Sequence, residues 1–307
     1  MGAADAPELR GHRVSAVIPH YGEPAPTLAL VRSLQTQESV RPARIIVSDD
    51  ASPVPFPDTE DVLVVRRCSN GGFGSAVNSG LEQVETEFVL VLNSDLEIGP
   101  TFVGDLLAAA LPWQPAVVSP QVRGRDGEPQ WVGRHFPTVG HQAIEWLSPL
   151  ARHRHRPLLH EAVGHDTRCA DGVSMPVDWL MGAALLIPVK EFRAVGGFDE
   201  RFFMNCEEVD LQRRLRARGV LSVFAGGVEV IHEGGGSSDP EARRQWLVES
   251  RLAYARKWGG ELWLRSALLG ASAANFAVNA IRQAAGREIR AAGTFRQEIG
   301  YLRRRPS

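Results

Sequence analysis

The sequence predicts an α/β fold with a mostly parallel sheet wrapped by helices, and three observations carry that expectation. Short apolar runs at residues 14–18, 44–47, 62–65 and 88–92 have the length and branching of strands buried on both faces. Helical patterns separate the first run from the second and the third from the fourth, a β-α-β-β-α-β alternation. The run Phe88-Val89-Leu90-Val91-Leu92 then stops in Asn93-Ser94-Asp95: an amide, a hydroxyl and a carboxylate. Open α/β sheets bind ligands in the crevice beyond their strand carboxyl ends, which makes Asp95 a candidate metal or substrate ligand. The same acid would also suit a turn ahead of Pro100.

Taken in order, the first strand spans 14–19, stops at Pro19 and leads into His20-Tyr21-Gly22. A helix over 27–37 places Leu28, Val31 and Leu34 on one face. The second strand, 44–48, ends in Asp49 and Asp50, and the third covers 62–65. Residues 70–80 form a glycine-rich turn that opens a helix running to Glu82. This turn follows the third strand rather than the first and lacks the GxGxxG spacing, so it is no dinucleotide fingerprint. Residues 113–175, with prolines and scattered tryptophans, read as a loop-rich insertion without internal repeats. Within it, Arg152-His153-Arg154-His155-Arg156, His160, His165 and Cys169 offer no ligand pair at zinc spacing and read as a solvated basic loop. Structure is expected to resume at 177–187, with a short helix at 190–195 and a polar segment at 196–211. A helix over 211–218, strands at 220–224 and 228–231, and a flexible exit through residues 233–237 complete this part.

The last third differs in composition. A basic helix is expected over 240–258 and an apolar, alanine-rich one over 262–281, interrupted by Arg265, Asn275 and Asn279. From Arg282 onward seven arginines stand against Glu288 and Glu298, a local charge of +5. An apolar face beside an arginine-rich tail suits attachment to an anionic membrane surface. Elsewhere composition excludes more than it selects. The 307 residues, 44% hydrophobic and 23% charged with a net charge of -2, describe an ordinary globular protein rather than a nucleic-acid binder. Cys68, Cys169 and Cys206 are odd in number and widely spaced, as in a reducing compartment. The first residues lack the apolar core of a signal peptide, so a cytoplasmic location is expected, peripheral on the inner face of the membrane.

The motifs taken together carry a resemblance. Val17-Ile18-Pro19-His20-Tyr21, Val47-Ser48-Asp49-Asp50-Ala51-Ser52, Asn70-x-Gly72-Phe73-Gly74-x-Ala76-x-Asn78-x-Gly80 and Leu92-Asn93-Ser94-Asp95 resemble the nucleotide-sugar half of a family-2 glycosyltransferase with the GT-A fold. Asp178-Trp179-x-x-Gly182-Ala183, Gly197-Phe198-Asp199-Glu200-x-Phe202-Phe203, Glu207-Glu208-Val209-Asp210-Leu211 and Val230-Ile231-His232 follow in the family's order. The chain is most similar to the bacterial rhamnosyltransferase-like branch. That resemblance implies a tail over 1–13, a GT-A domain over 14–239 containing the 113–175 insertion, and membrane-facing helices over 240–307.

It also implies roles. Tyr21 stacks on a pyrimidine base with Pro19 aiming it, and Asp49 accepts the N3–H of uracil or thymine. Gly72 and Gly74 admit a close backbone approach to the donor, with Asn78 polar on the following helix. Asp95 matches the last acid of the family's DxD-type motif, Asn93 stands where its first Asp is common, and His232 completes a Mn²⁺ or Mg²⁺ site with Asp95. Glu208 stands where the family places its catalytic base, here in a Glu207-Glu208 pair in place of Glu-Asp, with Glu207 and Asp210 as rivals. Trp179 as a sugar-stacking plane, Gly182 as clearance and Glu207 would line the acceptor side. The implied reaction is inverting transfer from a dTDP- or UDP-sugar to a polyprenyl-linked or polysaccharide acceptor. A non-catalytic nucleotide- or carbohydrate-binding scaffold on the same fold and a nicotinamide-dependent oxidoreductase are the alternatives. The oligomeric state, a homo-oligomer included, stays open.

Overall fold

The computed structural model describes residues 13–153, 156–232 and 240–303. The tail before Arg13, Arg154, His155, the exit at 233–237, and Arg304 and Arg305 lie outside the described residues. Internal contacts divide the chain into two units. The first draws on Met1–Arg134, Arg168–Phe203 and Glu207–Ser238, the second on His135–Thr167, Met204–Cys206 and Asp239–Ser307.

The first unit is an α/β domain, and its opening alternation follows the apolar runs closely. Strand β1 (Val14–His20), helix α1 (Pro24–Gln35), β2 (Arg44–Asp49), β3 (Val62–Arg66), α2 (Phe73–Leu81) and β4 (Phe88–Leu92) succeed one another. Every residue of β4 is buried, as a strand covered on both faces requires. Then come β5 (Leu96–Ile98), α3 (Phe102–Ala110), β6 (Ala116–Arg123), the two-residue β7 (Gly133–Arg134), β8 (Ser174–Val177), β9 (Trp179–Leu180) and β10 (Ala184–Pro188). Helices α6 and α7 of this unit are Val189–Ala194 and Glu207–Arg216, and β11 is Leu221–His232. The main sheet runs β3-β2-β1-β4-β10-β6-β11-β5, with β8 added on β11. Strands β1–β4 pair in parallel, while β10 lies antiparallel to β4 and β5 antiparallel to β11.

Two expectations are corrected here. The stretch at 116–123, placed in a loop-rich insertion, is an interior strand between β10 and β11. Pro120 hid it, because a residue without an N–H reads as an edge or a break. In the sheet Pro120 pairs with Ala225, where the register of β11 shifts between Ala225 and Glu229. The same shift corrects the second expectation, since the separate strands at 220–224 and 228–231 are one strand. Gly226-Gly227 looked like a turn and is instead the irregularity within it.

The second unit contains α4 (Val139–Trp146), α5 (Pro157–Ala162), α8 (Pro240–Trp258), α9 (Glu261–Ala284) and α10 (Ala291–Arg303). Trp146 centres its core with Val248, Leu252, Leu264 and Leu268, and donates its indole N–H to Ser272 Oγ at 2.8 Å. The polar residues of α9 face inward. Asn275 accepts from the Ser148 N–H and Oγ at 2.9 and 3.1 Å and donates to the Trp146 carbonyl at 3.0 Å and Glu298 at 3.3 Å. The solvent side carries Leu262, Trp263, Leu269, Phe276 and Ile281. Asn275 and Asn279 therefore do not break the exposed apolar face, because both are buried. Among the described residues no helix is long and apolar enough to cross a membrane.

Asn275→Leu should lower stability by about 2 kcal/mol or more, because it strands a buried N–H, a carbonyl and a carboxylate at once. Chemical denaturation checks this; an unchanged midpoint would show that the network carries no net stability.

Candidate functional site

The carboxyl ends of three adjacent parallel strands define one edge of the sheet. β1 pairs with β2 so that His20 lies opposite Asp49, and β4 flanks β1 on its other side. Tyr21, Asp49 with Asp50, and Asn93 through Asp95 leave the sheet at this edge, as their sequence positions predict. Tyr21 is 45% exposed and presents its ring, while Pro19 sits within β1 opposite Ser48.

The two adjacent carboxylates of β2 do different structural work. Asp49 is buried, and its oxygens accept from the Ser52 and Phe56 N–H groups, both at 2.9 Å. Burial pushes its carboxyl up, but the bonds from Phe56 and Ser52 outweigh that and hold it below its ordinary value. Both oxygens are thus already engaged where one was expected to read a base. Asp50 accepts from the Gly71 N–H at 3.0 Å, the Gly72 N–H at 2.8 Å and Arg67 Nε at 2.7 Å. It anchors the glycine turn, a role the sequence did not reveal.

The glycines of that turn are needed for the protein's own packing. Gly72 has φ +84°, and a Cβ there would lie 1.8 Å from the Phe203 carbonyl oxygen. A Cβ on Gly74 would lie 2.9 Å from Phe198 Cβ. The close approach at these glycines is made by residues 198–203 of the chain itself. Asn78 serves the same segment: its Nδ2 donates to the Phe198 carbonyl and its Oδ1 accepts the Phe198 N–H, each at 2.9 Å. Its amide ties the helix to the 198–203 segment.

Asp95 and His232 come together across β5 and β11. His232 pairs in register with Leu96, so the imidazole reaches the turn just before it. Its Nε2 lies 3.2 Å from Asp95 Oδ1 and 3.2 Å from Asn93 Nδ2. Its Nδ1 lies 2.8 Å from Gln130 Oε1, while Gln130 Nε2 donates to the His232 carbonyl at 2.9 Å. An amide oxygen can only accept, so Nδ1 carries a proton; in the neutral ring Nε2 is then an acceptor for Asn93 Nδ2 and faces Asp95. An imidazole nitrogen beside a carboxylate, steadied from behind by an amide, fits a Mn²⁺ or Mg²⁺ ion. Gln130 lies in the irregular 124–132 stretch and had no sequence signal.

The remaining candidates adjoin this edge through β10. The Asn93 N–H donates to the Ala183 carbonyl at 2.8 Å, which brings Gly182 beside the end of β4. An added Cβ at Gly182 would lie 3.7 Å from Glu208 Cβ, ordinary contact, so the glycine faces the first turn of α7. Glu207 turns another way: its Cβ is 3.6 Å from a Cβ built on Gly74. Adjacent residues on a helix start point in different directions, and here that separates the pair. Burial pushes the Glu208 carboxyl up, against opposing pulls from its own backbone N–H and from Arg134. Glu208 Oε2 is buried and has no hydrogen-bond partner. Asp210 is fully buried and paired with Arg214 at 2.8 Å, which removes it as a rival. Trp179 is buried, with the Arg134 guanidinium 5.4 Å above its ring. It packs a cation over one face instead of offering an open plane to a sugar.

The model of the family described as glycosyl transferase family 2 matches residues 15–178. An N-acetylglucosaminyl-diphospho-decaprenol L-rhamnosyltransferase of Mycobacterium tuberculosis is 29% identical over 251 residues, 75% of this chain and 80% of that protein. A rhamnosyltransferase of Escherichia coli is 39% identical over 56 residues, 18% of this chain and 21% of its own. A mannosyltransferase from Pyrobaculum calidifontis, solved with GDP-Man and Mn²⁺, aligns with a TM-score of 0.54 at 15% identity, covering 94% of this chain and 84% of that one. At that identity the likeness concerns the fold.

The state of Glu208 has a measurable consequence. Its pKa is raised in the folded protein. Above about pH 4.3 the unfolded chain has therefore released a proton that the folded chain still holds. Stability falls as pH rises from there through the native value. Glu208→Gln cannot ionise and escapes that fall, so the variant should gain in melting temperature relative to wild type as pH rises above about 4. A constant difference across that range would show that Glu208 ionises normally.

Proposed function

The chain belongs to glycosyl transferase family 2, and from that premise we propose that it moves rhamnose or a related sugar from a dTDP- or UDP-sugar onto a lipid-linked or polysaccharide acceptor. That it is a glycosyltransferase of glycan synthesis follows from its family and relatives. The observation that carries the finer reading is the pair of opposed functions on one edge. A cation-holding pair, Asp95 and His232, connects through Asn93 and Gly182 to Glu208, a carboxyl poised to take a proton. The acceptor class draws support from the mycobacterial relative, named for a decaprenol-linked acceptor.

In this reading Tyr21 stacks on the pyrimidine, and Asp95 with His232 holds the donor's metal. A Mn²⁺ or Mg²⁺ ion there supplies neutralisation of the charge developing on the departing diphosphate. The acceptor oxygen attacks the anomeric carbon, the bond to the diphosphate oxygen breaks, and Glu208 takes the hydroxyl proton. A carboxyl raised by burial is better matched to that proton than an ordinary one. Attack from the face opposite the leaving group gives inversion. Gly182 leaves space above Glu208 for the acceptor. Gln130 fixes which imidazole nitrogen of His232 faces the ion.

The C-terminal helices complete the proposal. Leu262, Leu269 and Phe276 recur every seven residues along α9, with Trp263 and Ile281 exposed beside them. With the arginines that follow, this face suits peripheral attachment to an anionic membrane, where a lipid-linked acceptor resides.

A thermal-shift panel of nucleoside diphosphates and their sugars tests the donor site. UDP or dTDP species should stabilise the protein with Mn²⁺ and lose that effect in EDTA. Glu208→Gln should keep the shift and lose about 10²- to 10⁴-fold in turnover. Folded protein that responds to no pyrimidine nucleotide would sink the reading. Replacing Leu262 and Trp263 by Ser should weaken co-sedimentation with anionic vesicles by roughly tenfold or more, since each large side chain contributes about 1.5–3 kcal/mol when buried; equal sedimentation would remove α9 as the attachment face.

A further inference from the structure

The histidine-containing stretch expected to be a solvated loop is largely organised in its described residues. Helix α5 spans Pro157–Ala162 and returns sharply, with the His165 N–H donating to the His160 carbonyl at 3.0 Å. The His135 N–H donates to the Gly164 carbonyl at 2.8 Å, which sets the start of this segment against its end. Three ligand-type side chains converge there. One nitrogen of His135 and one carboxylate oxygen each of Glu161 and Asp166 all lie within 4.8 Å of one another.

The arrangement is built in a way that a chance contact is not. Glu161 Oε1 accepts from the Thr167 N–H at 2.8 Å and from the Thr167 hydroxyl, which leaves Oε2 turned toward His135 Nε2, 3.0 Å away. Burial pushes the Glu161 carboxyl up, but the Thr167 and His135 bonds prevail and keep it ionised. Asp166 is 1% exposed. A fourth ligand-type atom, a second imidazole nitrogen, stands close by. The His141 ring centroid is 6.4 Å from that of His135, and His141 Nδ1 is buried without a hydrogen-bond partner. Gly164, at φ +93°, leaves the space in front of that nitrogen clear, since a Cβ there would lie 3.0 Å from it.

We propose that His135, Glu161 and Asp166 bind one divalent cation of the zinc type, which fastens the 135–167 segment within the second unit. Ligands about 2.1 Å from a tetrahedral zinc stand about 3.4 Å apart, so the His135–Glu161 pair needs to open by only a few tenths of an ångström. Thr167 orients the Glu161 ligand from behind, as outer partners do in metal sites. His141 is placed to move in as a fourth ligand. Borderline nitrogen with carboxylate oxygen selects zinc or cobalt over magnesium. The site uses none of the residues assigned to the donor, and the proposal stands or falls apart from that assignment. Spacing gave no warning of it, because its ligands lie 26 and five residues apart, outside the usual intervals.

Full-length protein stripped with EDTA and titrated with Zn²⁺ and Co²⁺ tests this, in the wild type and in an Asp95→Ala/His232→Ala background. The double variant should bind one equivalent with a rise in melting temperature, the wild type at least one, and Co²⁺ should give the visible absorption of a low-coordinate site. His135→Ala and Glu161→Gln should each weaken that binding at least tenfold. Should His135→Ala fail to fold, Glu161→Gln, which keeps the side chain's size and an acceptor for Thr167, carries the test alone. Absence of binding overturns the proposal, as does binding that disappears with Asp95 and His232 or persists unchanged in Glu161→Gln.

Discussion

Strand β5 is only three residues long, yet its antiparallel pairing with the end of β11 brings the candidate metal-binding pair together. The register sets His232 opposite Leu96, and backbone hydrogen bonding therefore delivers an imidazole from residue 232 to a carboxylate at residue 95. A shift by one residue would turn the imidazole to the other face of the sheet and separate the two. Gln130 reinforces the register from the side, holding both the ring and the carbonyl of His232. Asn93, Gly182 and Glu208 then follow from β4 and β10 lying next to each other. The site is thus a consequence of sheet order, with side chains appended to strands whose positions the core already fixes.

What could be read in the sequence divides along the same line. Strand ends were legible, because an apolar run that halts at a carboxylate marks its own boundary locally, as at the ends of β2 and β4. Partnerships were legible only through resemblance, as with His232. Contacts with segments far away in the chain were not legible. Gly72, Asn78 and Trp179 all looked suited to a ligand, and each also serves the protein's own packing, against Phe203, Phe198 and Arg134. A glycine demanded by a neighbouring carbonyl and a glycine demanded by a phosphate are identical in sequence. Pro120 failed the reading for another reason, since the local rule against proline in sheets is overridden where the partner strand loses its register.

Helix α9 is apolar on two sides. Leu264 and Leu268 are buried together with Ser272, Asn275 and Asn279, while Leu262, Trp263, Leu269 and Phe276 meet solvent. The buried amide of Asn275 is acceptable because its partners, Ser148, Trp146 and Glu298, satisfy it from both sides. Mean hydropathy along the helix conceals this, since it does not separate the apolar side that is packed from the one that is not. Only packing tells which face is free.

The glycine turn bound by Asp50 bears on how a nucleotide sugar's negative charge is met. In many nucleotide-binding folds such a turn is an anion receptor, its amides open to phosphate. Here the Gly71 and Gly72 amides converge on the Asp50 carboxylate, so the turn already has its anion, and that anion belongs to the protein. Arg67 in turn balances that carboxylate at 2.7 Å, so the turn is a closed cluster of the protein's own charges. In the proposed reading, the charge of a diphosphate would then be met at the opposite end of the edge, by a cation held between the imidazole and Asp95.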